Sequence, residues 1–180
     1  MINKIDLLKL INDYNYNDTN KILTKIFLNN FEDFWSTDNK YGHITASSWV
    51  LNKNRNKALL THHKKLNKWI QLGGHIEKSD NTIFEAGKRE LMEESGLKNI
   101  KLISESIFDI DIHKIPSKGD IQEHFHFDIR MLFEADENED INYDLNESNN
   151  INWLIFDEII YHNKEESILR MIDKSKVIST

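Results

Sequence analysis

The chain has 180 residues, 39% of them hydrophobic and 29% charged, with a formal net charge of −7 and no cysteine. This length suits one domain with an added arm and buries a core without covalent staples. The cysteine count excludes disulfides, thiolate metal sites and cysteine nucleophiles, the acidic balance argues against a general grip on nucleic acid, and no apolar run is long enough to cross a bilayer.

The start, MINKIDLLKL, lacks an uninterrupted apolar segment before a small-residue cleavage site, so a cytoplasmic protein is expected. An acidic chain still binds a phosphorylated small molecule when a divalent cation mediates the contact. Residues 1–38 read as an N-terminal helical arm packed on a main domain of residues 39–180. Leu7, Leu8, Leu10 and Ile11 give one apolar helical stripe; Ile22, Leu23, Ile26, Phe27 and Phe31 give a second. Polar DYNYNDTN turns the chain between them.

From Gly42 the period changes. HITASSWVL and KALLTHH read as strands joined by the hairpin loop NKNRN. Trp69 to Leu72 is a short extended piece entering Gly73-Gly74. Ile83 to Ser95 reads as a helix with Phe84, Gly87 and Leu91 inward, ended by Gly96. Lys101 to Ile112 reads as one strand and KIPSKGD as a loop. EHFHFDIRMLF alternates, with Phe125, Phe127, Ile129, Met131 and Phe133 on one face. ADENEDINYDLNESNN is a long acidic loop holding a short strand near Ile141. Ile151 to Ile155 is the last strand, and closing helices carry Ile168, Leu169 and Ile172. This order predicts an α/β (α+β) fold, a mixed sheet with helices on its faces.

The chemistry concentrates in GGHIEKSDNTIFEAGKRELMEESGL, residues 73–97. Glu90, Glu93 and Glu94 stand at i, i+3 and i+4, so they project from one side of the helix. Their mutual repulsion is reversed by a hard divalent cation such as Mg²⁺, which takes oxygen ligands and keeps several waters. Arg89 is placed to hold one carboxylate with a two-pronged hydrogen bond, and Gly73-Gly74 lets backbone approach a ligand. A solvated acidic helix face is the plain alternative.

This stretch resembles the Nudix box: Gly, five residues, Glu, seven residues, then Arg-Glu-apolar-x-Glu-Glu-x-Gly-apolar. Arg89 to Leu97 fit every specified position of the second half. Gly74 followed by five residues reaches Asp80 where the family has Glu, and eight residues then separate Asp80 from Arg89. The resemblance implies an α/β/α sandwich. It implies Mg²⁺, with Mn²⁺ as substitute, held by Glu94, Glu93 and Glu90 with backbone help from Gly74. It implies hydrolysis of a diphosphate bond in a nucleoside diphosphate linked to a second group. Glu93 or Glu90 is the expected base and Arg89 orients the carboxylates. Glu77 and Glu147 are further candidates for metal or base work.

His124, His126 and Asp128 alternate opposite the phenylalanines; two histidines two apart on a strand suit a metal, a substrate pocket or a plain polar face. His75, His43 and Thr45 are candidates for the pocket rim. The partner expected is a small phosphorylated molecule bound by a monomer or homodimer, without membrane contact. A ligand-binding or regulatory module without turnover is the rival reading. An isoprenoid diphosphate isomerase is disfavoured by the absent cysteine.

Overall fold

The computed structural model describes residues 1–16, 18–119 and 122–178. Asn17, in the first expected turn, and Asp120, at the end of KIPSKGD, lie outside the described residues.

Two helices open the chain. α1 (Lys4–Asp13) is capped by the Asn3 side chain, which accepts from the N–H groups of Ile5 and Asp6. α2 (Thr19–Asn30) is capped by Asp18, which accepts from Lys21 N–H. Leu7 and Ile11 are buried as expected. On α2 the expected inner face is corrected: Ile22, Leu23 and Ile26 are exposed, and Thr24, Phe27 and Leu28 point inward. The helix carries apolar residues around most of its circumference, so packing against the sheet selects the buried side. Phe27 makes that choice by stacking on Phe127, with ring centroids 4.2 Å apart.

Eight strands follow, with further helices between and after them: β1 (Gly42–Asn52), β2 (Lys57–His63), β3 (Lys68–Ile70), β4 (Leu72–His75), α3 (Ile83–Ser95), β5 (Ile100–Leu102), β6 (Asp109–Ile115), β7 (His124–Ala135), β8 (Ser148–Ile155), α4 (Phe156–His162) and α5 (Glu166–Ile178). β1 and β7 lie parallel at the centre, and every other pairing is antiparallel, so the sheet is mixed. One edge of β1 is shared: Val50 and Leu51 pair with β2, while Thr45 to Ser48 pair with β4. β7 likewise carries β5 and β6 along one edge. β2 also pairs with β8.

The central strands are buried on both faces. Ile44, Ala46, Ile129 and Met131 join α1, α2 and α3 in one core; Trp49, Leu51 and Leu132 join α4 and α5 in another. This makes three layers, an α/β/α sandwich. No helix among the described residues is long and apolar enough to cross a membrane.

Three expectations need adjustment. The single strand over Lys101 to Ile112 is two strands, because the chain leaves the ladder at exposed Ser104 to Ser106. It rejoins where Phe108 N–H donates to Arg130 O. No strand forms near Ile141; Asn142 N–H instead donates to Ser95 O at the end of α3, and Glu139 accepts from Lys98 and Asn99 N–H. The acidic loop is thus tied to a helix terminus and has no strand partner there. The last strand begins earlier than expected, at Ser148, since β2 offers partners as far as His63. The Phe125 end of the alternating face is exposed, while Phe127, Ile129, Met131 and Phe133 are buried.

Candidate active site

α3 starts at Thr82, whose hydroxyl accepts from Glu85 N–H, and ends at Gly96, which takes the left-handed conformation with φ 73°. Its inward face, Ile83, Ala86, Gly87 and Leu91, packs on the core. Gly87 lies against β1 and β7: a Cβ there would meet the Met131 methyl at 2.2 Å, and Gly87 O accepts from Ser48 Oγ. This packing directs Glu90 and Glu94 toward β4.

Bare backbone receives them. Gly73 N–H donates to Glu94 Oε2 at 3.0 Å. A Cβ on Gly74 would stand 2.6 Å from Glu90 Oε2, and one on Gly73 would stand 2.5 Å from Ala46 O. Gly73 has φ 149°, a conformation L side chains avoid. Both glutamates line a cleft of about 410 Å³. Its other walls include Thr45, Asp128, His75, His126 and Glu147, five residues singled out in the sequence. Burial pushes the Glu94 carboxyl up to about 7, against the Gly73 hydrogen bond, and burial likewise raises Glu90.

Arg89 organises the helix face. Its Nε and Nη2 donate to both oxygens of Asp80, at 3.1 and 3.0 Å, and Nη2 also donates to His75 O at 2.8 Å. Nη1 donates to Glu90 Oε1 and to Glu93 Oε2, each at 3.0 Å. Asp80 is 4% exposed and also accepts from Glu77 N–H. The sequence left the role of Asp80 open; it is the two-pronged partner of Arg89. A turn closed by Asp80 N–H donating to Glu77 O presents this carboxylate to Arg89.

The remaining candidates divide. Glu93 is turned onto Arg89 with its side chain 58% exposed, away from the cleft lining. Glu77 is exposed and outside the cleft lining, accepting from Ser79 Oγ. Asp128 is buried and accepts from Thr45 Oγ1 at 2.9 Å, Ser47 Oγ at 2.8 Å and Arg130 Nε at 2.8 Å. His43 is buried behind the cleft wall, in ring contact with His75, His124 and His126. Sequence reading missed Ser47, Gln71 and His113 on the wall. His113 had a signal, since it continues the alternation Asp109, Asp111, His113 opposite Ile110 and Ile112.

A hard divalent cation fits this donor set. Glu90 and Glu94 supply carboxylate oxygens beside a glycine that leaves room, and Glu147 lines the same cleft.

The fold is an α/β/α sandwich whose carboxylate-bearing helix, α3, stands at the edge of a cleft. A family model described as NUDIX domain matches residues 42–174, so the chain belongs to the Nudix hydrolase family. Comparison with curated proteins gives no match. Among solved structures, the C. elegans Ap4A hydrolase in a binary complex is similar at TM-score 0.55 and 15% identity, over 75% of this chain and 96% of that one. A Nudix-family hydrolase from Clostridium perfringens is similar at TM-score 0.52 and 24% identity, over 76% and 97%. The E. coli dihydroneopterin triphosphate pyrophosphohydrolase is similar at TM-score 0.55 and 13% identity, over 73% and 92%. At these identities the structural likenesses speak for the fold.

Proposed function

We propose that this chain hydrolyses a diphosphate bond in a nucleoside diphosphate linked to a second group, with Mg²⁺ bound and Mn²⁺ able to replace it. The observation that carries the reading is that Glu90 and Glu94 reach the cleft past the Gly73-Gly74 backbone. Relatives named for Ap4A and for dihydroneopterin triphosphate share a phosphoanhydride as the reacting group, which supports that substrate class.

Glu94 and Glu90 are the principal metal-holding residues, with Gly74 beside them and Glu93 available once it leaves Arg89. A bound divalent cation supplies charge neutralisation at the phosphate oxygens and a lowered pKa for attacking water. Glu90 is favoured over Glu93 as proton acceptor, because Glu90 lines the cleft and burial raises its basicity. Glu147, which lines the same cleft, is a further carboxylate for metal or base work. Arg89 is a positioning residue. It holds the carboxylates and turns its remaining donors to Asp80 and His75 O, away from substrate. Thr45, His75, His126 and Asp128 shape the substrate side of the cleft, and small polar ligands fit its size.

The test is a panel of nucleoside diphosphate derivatives, dinucleoside polyphosphates and nucleoside triphosphates with Mg²⁺, read by product identification. Glu94→Gln is expected to lower kcat by at least about 100-fold, the scale of losing one well-placed electrostatic group. Equal turnover by both proteins would remove α3 from the mechanism. Binding without product would make the chain a ligand-binding module.

A further inference from the structure

The cross-strand registers gather histidines that are far apart in the chain. His43 on β1 is the direct parallel neighbour of His126 on β7. His113 on β6 stands opposite His126 on its other side. His75, at the end of β4, pairs with Thr45, two residues beyond His43. The rings of His43, His75 and His126 lie with centroids 4.6 to 5.4 Å apart. One ring nitrogen from each lies within 4.8 Å of the other two.

His43 is 1% exposed, and neither Nδ1 nor Nε2 has a hydrogen-bond partner among the described residues. Buried polar atoms almost always have partners, so two on one ring need a reason. Its ring contacts are with the imidazoles of His75, His124 and His126, none of which hydrogen-bonds it, and Asp128 is engaged by Thr45, Ser47 and Arg130. An imidazole in its neutral form offers a ring-nitrogen lone pair to a metal. A cluster of neutral imidazoles is a poor anion site and a good cation site.

We infer that His43, His75 and His126 form a second metal site, specific for a first-row transition ion that takes imidazole, Zn²⁺ or a close relative, and separate from the oxygen-donor site on α3. Tetrahedral zinc with Zn–N near 2.05 Å needs nitrogens about 3.3 Å apart. The rings therefore close by at most about 1.5 Å between any pair from the 4.8 Å envelope. Three histidines would leave one position of a tetrahedral ion open, and His75 and His126 also line the cleft. His113, hydrogen-bonded to Asp111, is a neighbouring imidazole already oriented by a carboxylate. Mg²⁺, which wants hard oxygen, does not compete here.

The test uses the full chain, stripped with a chelator and titrated with Zn²⁺ against a chromophoric competitor, in saturating Mg²⁺. The wild type and Glu94→Gln are expected to bind one Zn²⁺ with the same affinity. His43→Gln, His75→Gln and His126→Gln are each expected to weaken it at least about tenfold. His75 is exposed, so its variant keeps the test valid if removing the buried His43 impairs folding. Ring-proton NMR signals of the three histidines should move together at one equivalent of Zn²⁺. Unchanged affinity in His75→Gln and His126→Gln, or zinc binding that disappears with Glu94→Gln alone, would overturn the site. Neither outcome touches the hydrolytic reading, which the product assay decides.

Discussion

Replacing Asp80 by asparagine probes the arrangement that holds the acidic helix face together. Asp80 accepts two N–H groups of Arg89 and one from Glu77, and its side chain is 5% exposed. Asparagine keeps the shape, loses the charge and turns an NH₂ toward a donor. Breaking a buried ion pair costs about 3–5 kcal/mol. Arg89 is 20% exposed and keeps Glu90, Glu93 and His75 O, so the loss should be smaller, about 2–3 kcal/mol. For a chain of this size that is a fall in Tm of about 4–12 °C. The pH dependence has a definite sign. Burial pushes the Asp80 carboxyl up, but the Arg89 hydrogen bonds and Glu77 N–H outweigh it, and the net shift is downward. A lowered folded-state value gives stability that is complete above the unfolded value, about 3.9, and is lost as pH falls through the folded one. Urea unfolding of wild type and Asp80→Asn should therefore differ most near pH 7 and converge in acid. A gap below about 0.5 kcal/mol at pH 7, within the range of ordinary surface substitutions, or one undiminished in acid, would refute this account.

Other perturbations report on separate links. Gly74→Ala should push the Glu90 carboxylate aside, since its Cβ would lie 2.6 Å from Oε2; activity at limiting Mg²⁺ should drop at least about tenfold with little change in Tm, because the group displaced is the end of a side chain and one electrostatic contact carries that much. Asp109→Asn leaves Arg130, Arg170 and Lys174 without their common carboxylate, which is fully buried; denaturant unfolding should show a loss of about 3–5 kcal/mol. Removing residues 1–38 strips Leu7, Ile11, Phe27, Leu28 and Phe34 from the core they share with Ile44 and Ile129. We propose that the arm is part of the folding unit, and residues 39–180 alone should show no cooperative melt by calorimetry; a sharp transition within a few degrees of the full chain would make the arm an accessory.

The sequence made some of this visible and hid the rest for physical reasons. The spacing of Glu90, Glu93 and Glu94 was legible because helix geometry converts spacing directly into direction. Their different orientations were not, because Arg89 has donors enough for both Glu90 and Glu93 and the cleft lies on one side only. The alternation of β7 was plain, yet alternation says nothing of the excursion at Ser104 to Ser106 that splits the neighbouring strand. On α2 the apolar stripe was read one step around the helix from its buried face, since Ile22, Leu23 and Ile26 are as apolar as the residues that pack. The meeting of His43 with His126 depends on a parallel register between distant segments, which local pattern does not encode.

That parallel register has a consequence for how the chain reaches its structure. Thr45 and Asp128 are 83 positions apart, so pairing their strands closes a long loop at an entropic cost. Along one side of this pair the chemistry changes from His43, Thr45 and Ser47 to Trp49 and Leu51. A slip of two residues in one direction would move Arg130 from its place beside Ser47 to one beside Trp49 and strand its charge among aromatic and aliphatic groups. The graded strand therefore favours its own alignment over the slipped one, because only the matched register keeps the charge among polar neighbours.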